Sequence, residues 1–69
     1  MNDERHVLLK RDIKTMSWLL DMYNQNPERA KKLAGIGNVV DYDYTTWYII
    51  VDFEGERLSV RRYNLIYLD

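Results

Sequence analysis

Gly37-Asn38-Val39-Val40-Asp41-Tyr42-Asp43-Tyr44-Thr45-Thr46-Trp47-Tyr48-Ile49-Ile50-Val51-Asp52-Phe53-Glu54-Gly55-Glu56-Arg57-Leu58-Ser59-Val60-Arg61-Arg62 is the stretch that decides the fold. β-Branched and aromatic residues alternate with charged ones, and Asp43-Tyr44-Thr45-Thr46 and Glu54-Gly55 supply the breaks, which is the pattern of successive antiparallel strands. Strands are expected over Ile36 to Tyr42, Trp47 to Phe53 and Glu56 to Arg62. In the middle strand Trp47, Ile49, Val51 and Phe53 face one side and Tyr48 and Ile50 the other, as a strand covered on both faces requires. Tyr63-Asn64-Leu65-Ile66-Tyr67-Leu68 reads as a tight turn and a last short strand.

Upstream the period changes. Leu9, Ile13, Met16, Leu20 and Tyr23 recur every three or four residues and form one side of a helix over residues 7–23. Leu8, Thr15, Leu19 and Met22 widen that stripe, with Lys10, Arg11, Lys14, Ser17 and Asp21 on the polar side. Asn24-Gln25-Asn26-Pro27 ends this helix and opens another, because Asn26 suits an N-cap and Pro27 the first helical position. Glu28 favours the positive end of the second helix, Lys31 and Lys32 its negative end, and Gly35 its close. The expected architecture is a single α+β domain over residues 1–69: a helical hairpin (7–34) packed on a small antiparallel sheet or partial barrel of three to five strands (36–69).

A chain of 69 residues hides only about 60% of the surface its unfolded form exposes, so the core must be thin. With 46% hydrophobic residues it is nonetheless richer in apolar side chains than disordered sequences. It contains no cysteine, which removes disulfides and thiolate metal sites and fits a reducing, cytoplasmic setting. The charged start Met1-Asn2-Asp3-Glu4-Arg5-His6 lacks the apolar run of a signal peptide. The run Trp47 to Val51 is too short to cross a membrane. Residues 1–35 carry seven Lys/Arg against five Asp/Glu and residues 36–69 three against six, so the halves are +2 and −3. That asymmetry does not supply the strong basic field of most nonspecific nucleic-acid binders.

The glycine-valine strand Gly37-Asn38-Val39-Val40-Asp41-Tyr42-Asp43, the strand that Trp47-Tyr48 opens, the acidic-glycine hairpin at Glu54-Gly55 and the basic, aromatic strand ending in Leu65 together resemble an SH3-like small barrel of the KOW, Tudor and Mind-bomb-repeat type. The likeness covers about half of the chain. It implies a binding module without catalytic residues, which holds peptides, methylated lysines or nucleic acid on aromatic side chains at one end of the barrel. Trp47 and Tyr48 match the strand-two aromatics, and Tyr42 and Tyr44 lie where a cage or groove is built. The helical hairpin departs from that pattern.

From the residues themselves, Tyr42, Tyr44, Trp47, Tyr48, Tyr63 and Tyr67 form a dense aromatic set, suited to interface contact and equally to filling a thin core. Tyr42, Tyr44 and Tyr48 are the strongest candidates for exposure. Arg57, Arg61 and Arg62 are able to pair with phosphates or stack on bases, against a competing reading of cross-strand ion pairs with Asp52, Glu54 and Glu56. Lys10, Arg11, Lys14, Arg29, Lys31 and Lys32 read as a solvated helix face or a patch for an acidic partner. Asp41, Asp43, Asp52 and Glu54 match no EF-hand spacing. His6, the single histidine, is expected in a frayed terminus and supports neither a triad nor a histidine metal site. Ser17 and Ser59 have no base beside them. The expectation is therefore a non-enzymatic protein-interaction module without cofactor or metal, such as a bacterial or phage accessory or inhibitor protein, with Tyr42, Tyr44, Trp47 and Tyr48 as anchors and Arg61 and Arg62 as polar contacts. The alternative is nucleic-acid binding in the KOW manner. A wide stripe from Leu8 to Tyr23 leaves monomer and homodimer both open.

Overall fold

The computed structural model describes residues 5–68. Along the chain it places β1 (His6–Leu9), α1 (Ile13–Gln25), α2 (Pro27–Leu33), β2 (Gly37–Asp43), β3 (Tyr48–Phe53), β4 (Glu56–Arg61), a single 3-10 turn at Arg62–Asn64, and β5 (Leu65–Tyr67). The five strands form one antiparallel sheet in the order β4-β3-β2-β1-β5. The fold is α+β and its layout is compatible with a small SH3-like fold.

The expected long first helix is corrected at its start. His6–Leu9 is a strand held between β2 and β5, and only Ile13 onward is helical, so the helical hairpin covers 13–33 rather than 7–34. Val7 and Leu9 alternate inward as strand residues do. Asp12 then starts α1: its carboxylate accepts the Thr15 N–H at 2.8 Å, which satisfies one of the donors that a helix leaves unpaired at its first turn. His6 is correspondingly no frayed end, since it pairs with Asn38 in the sheet.

Asn26 works on both helices. Its backbone N–H closes α1 on the Met22 carbonyl at 2.6 Å, and its side chain accepts the Arg29 N–H at 3.2 Å, with Pro27 at the first helical position of α2. Proline costs nothing there because its missing N–H has no partner to lose.

The core draws on β1, α1, α2, β3, β4 and β5 through Val7, Leu9, Leu19, Ala30, Leu33, Ile49, Val51, Phe53, Val60 and Leu65, with Val39 of β2 packed against it. Phe53, Leu33, Val7 and Val51 are fully enclosed, each stabilising the fold by about 1.5–3 kcal/mol of apolar burial. The helices share a core with Ile49, Val51 and Phe53. Moreover α1 turns Leu19 inward, with Met22 half-buried, while Ile13 and Leu20 are 86% and 63% exposed and Met16 and Tyr23 also face solvent. Tertiary packing has selected the secondary line of apolar residues over the stronger one.

Gly37 opens β2 where the backbone passes tightly over the core: a Cβ at this position meets Val51 Cγ1 at 2.5 Å and Phe53 Cε1 at 2.7 Å. Ile36, expected in the strand, lies just outside it and is exposed. β2 then carries a bulge. Val39 opposes Val51 and Asp41 opposes Ile50, leaving Val40 as the extra residue, and such an insertion bends the strand and tightens its twist. Among the described residues no helix is long and apolar enough to cross a membrane.

Candidate functional site

Beyond the bulge, β2 and β3 run out to a turn at Tyr44, Thr45, Thr46 and Trp47. Trp47 donates its N–H to the Asp43 carbonyl at 2.7 Å. Asp43 fixes the interior of the turn: one carboxylate oxygen accepts the Thr45 hydroxyl at 2.6 Å and the Thr45 N–H at 3.0 Å. The Thr45 hydroxyl first, and its N–H second, hold the Asp43 carboxyl below the ordinary aspartate value, because both bonds favour the charged form.

The turn forces Trp47 into the left-handed region, at φ 65. A bulky side chain is rare there and costs about 1 kcal/mol or more. Trp47 is therefore no strand residue beside Ile49, as its place in the run Trp47 to Val51 suggests, and its ring projects from the turn with 74% of its surface exposed. Tyr44, on the same turn, is 76% exposed, and its ring stacks on that of Tyr42 at 6.2 Å between centroids and 27° between planes.

Four of the expected anchors converge. Tyr42, Tyr44, Trp47 and Tyr48 line a cavity of about 270 Å³ with Ile49 and Arg62. Tyr42 opposes Ile49 in the sheet, so it stands on the core face, where the bulge and the end of the helices leave it partly uncovered. Tyr48 is half-buried and carries the Arg61 guanidinium 4.5 Å above its ring, as the register pairing Tyr48 with Arg61 brings about. Arg62 sits in the 3-10 turn rather than in the strand and reaches over the Tyr67 ring at 5.2 Å. The helical hairpin contributes nothing to this cavity's lining.

The remaining candidates go elsewhere. Arg57 meets Asp52 at 3.4 Å, the cross-strand pair expected of the hairpin, whereas Glu56 is taken by Arg29 of α2 at 3.3 Å. Asp52 also accepts the Gly55 N–H at 2.7 Å. Asp41 and Asp43 pair with Ile50 and Tyr48 while Asp52 opposes Asn38 at the far end of β3, so the four carboxylates do not form one cluster. Among the described residues no three His, Cys, Asp or Glu side chains converge as metal ligands. On the helices Arg11 bonds the Ala34 carbonyl, joining the start of α1 to the end of α2. Tyr63 is exposed and Tyr67 half-buried, both away from the cavity.

Density of tyrosine makes this site visible in the sequence, but the position of Trp47 at the turn is not. It depends on a left-handed tryptophan that no propensity would assign. No protein-family model matches the chain, and no curated protein or solved structure matches it.

Proposed function

We propose that this domain is a small non-enzymatic protein-interaction module of SH3-like type, which grips a partner protein in the aromatic mouth between the β2–β3 turn and the 3-10 turn. The observation that carries this reading is the exposed pair Tyr44 and Trp47, displayed at the cost of a left-handed backbone over a cavity walled by Tyr42 and Tyr48. Aromatic rings give large contact area for little ordering entropy, and a concave apolar floor at Ile49 desolvates what they hold. Arg61 and Arg62, already laid against Tyr48 and Tyr67, offer guanidinium groups to carboxylates of the partner at the rim. The module acts by occlusion or tethering, as an accessory or inhibitor protein does.

Capture on a tagged bait, with and without nuclease, tests it. One protein enriched regardless of nuclease, and lost with Trp47→Ala/Tyr44→Ala, is the expected result. Enrichment indifferent to that double variant overturns it.

Nucleic-acid binding in the KOW manner is the second reading, favoured by Arg62 at a cavity wall beside stackable rings. It requires affinity for an oligonucleotide that falls steeply with salt and is lost in Arg61→Glu/Arg62→Glu.

A further inference from the structure

β4 forms one border of the sheet over six residues, and among the described residues no strand lies on its outer side. Phe53 and Glu56 face each other across the two-residue turn, the position at which a hairpin exchanges both main-chain bonds. Alternation then assigns the bonds to the pairs Val51 with Leu58 and Ile49 with Val60. It leaves the N–H and C=O groups of Arg57, Ser59 and Arg61 directed away from β3. Among the described residues no backbone group outside the ladder bonds to them.

What lies beyond that border is a cleft of about 500 Å³. Leu9, Leu58 and Val60 contribute apolar surface to it, and Lys14, Thr15 and Trp18 of α1 form the facing wall. A row of outward main-chain donors and acceptors beside an apolar cleft is the arrangement that accepts an added strand.

We propose that the β4 border takes an extended, acidic segment of a partner protein as a sixth strand, beside the aromatic mouth, with which it shares Tyr48 and Arg61. Charge selects this occupant over a second copy of the chain. Pairing two copies of β4 about Ser59 sets Arg57 of one directly against Arg61 of the other, and like charges directly opposite destabilise a strand pair. Lys14 and Arg61, which both line the cleft, favour carboxylates, whereas Arg57 is already paired with Asp52. Asp12, the acid among the lining residues, is committed to capping α1.

The test uses ¹⁵N-labelled protein and two capped seven-residue peptides, one alternating glutamate with valine and one alternating lysine with valine. The glutamate peptide is expected to shift the amides of Arg57, Ser59 and Arg61 and slow their hydrogen exchange, and the lysine peptide to leave them unchanged. Ser59→Pro removes one outward donor at an edge position that tolerates proline and is expected to weaken binding about tenfold. Should that variant fail to fold, Lys14→Glu/Arg61→Glu decides, with the lysine peptide now preferred. The proposal is overturned by no binding of the glutamate peptide, by equal binding of both peptides, by shifts centred on Tyr44 and Trp47, or by a peptide-free dimer whose shielded amides are those of β4.

Discussion

Replacing Gly37 with alanine adds a single methyl group where the described backbone has no room for it. That carbon comes within 2.8 Å of three atoms, on Val51 and Phe53, and both of those side chains are fully enclosed, so neither is able to swing into solvent. Gly37 does not have a left-handed φ; the penalty is overpacking, which costs about 1–3 kcal/mol. A domain of 69 residues has roughly 3–10 kcal/mol of stability in all. With a urea slope near the low end for small proteins, about 1 kcal/mol per molar, the denaturation midpoint of Gly37→Ala should fall by about 1 M or more. Gly35→Ala is the matched control, because there the added carbon meets the Lys32 and Lys31 carbonyls at 3.5 and 3.8 Å, both ordinary contacts. It should be neutral or stabilising by up to about 1 kcal/mol through the unfolded chain. Equal midpoints for Gly37→Ala and the parent, followed by tryptophan fluorescence and circular dichroism, would refute the close passage of β2 over Val51 and Phe53.

Leu19→Ala should cost about 2–5 kcal/mol and Leu20→Ala under about 0.5 kcal/mol, read from urea midpoints; the reverse order would mean that α1 is rotated from the described position. Trp47→Gly should stabilise the fold by about 1 kcal/mol by relieving the left-handed backbone while abolishing partner capture, so a Trp47→Gly protein that binds unchanged contradicts the aromatic mouth. Glu54→Asn should raise the thermal midpoint, because Glu54 and Gly55 both have positive φ (52 and 94) and asparagine accepts that turn more readily than glutamate. The Asp43 and Asp12 carboxyls are both held below the ordinary value of 3.8, by the Thr45 and Thr15 bonds respectively. Their contribution is complete above 3.8 and is lost as pH falls through the depressed folded values. In Asp43→Asn/Asp12→Asn the acid limb of the stability profile should flatten across that interval, and an unchanged limb counts against both bonds.

The sequence shows β2, β3 and β4 clearly because alternation and the two turns are local signals. The hinge at Asn26-Pro27 is equally local. β1 is hidden because His6–Leu9 is too short for a period of its own, and Leu9 sits at helical spacing from Ile13. The only local sign of the break is Asp12, a capping residue three positions before Thr15. The buried face of α1 is hidden for a different reason. Ile13, Met16, Leu20 and Tyr23 are the more apolar line, but α1 follows a short connection from β1, whose Lys10 N–H is bonded to the Asn64 carbonyl at 2.7 Å. That tether, with Ala30 and Leu33 of α2 pressing from the side, directs Leu19 to the core. The anchors Tyr42, Tyr44 and Tyr48 are legible as aromatic density, whereas their convergence needs the bulge at Val40, and a bulge leaves no composition signal.

The position of β1 also governs the order in which the fold is assembled. β2, β3 and β4 are joined by turns of a few residues, so that meander closes at small entropic cost. Val7, by contrast, must find Gly37 on one side and Tyr67, sixty positions away, on the other. Loop-closure entropy grows with each doubling of length by about 0.6 kcal/mol, and contacts of this span form late. The meander therefore forms first, and Val7 and Leu9 are sealed only when β5 closes against β1. A finished hairpin over an open half of the core thus precedes the native state, and it is closed by the pairing of greatest separation along the chain.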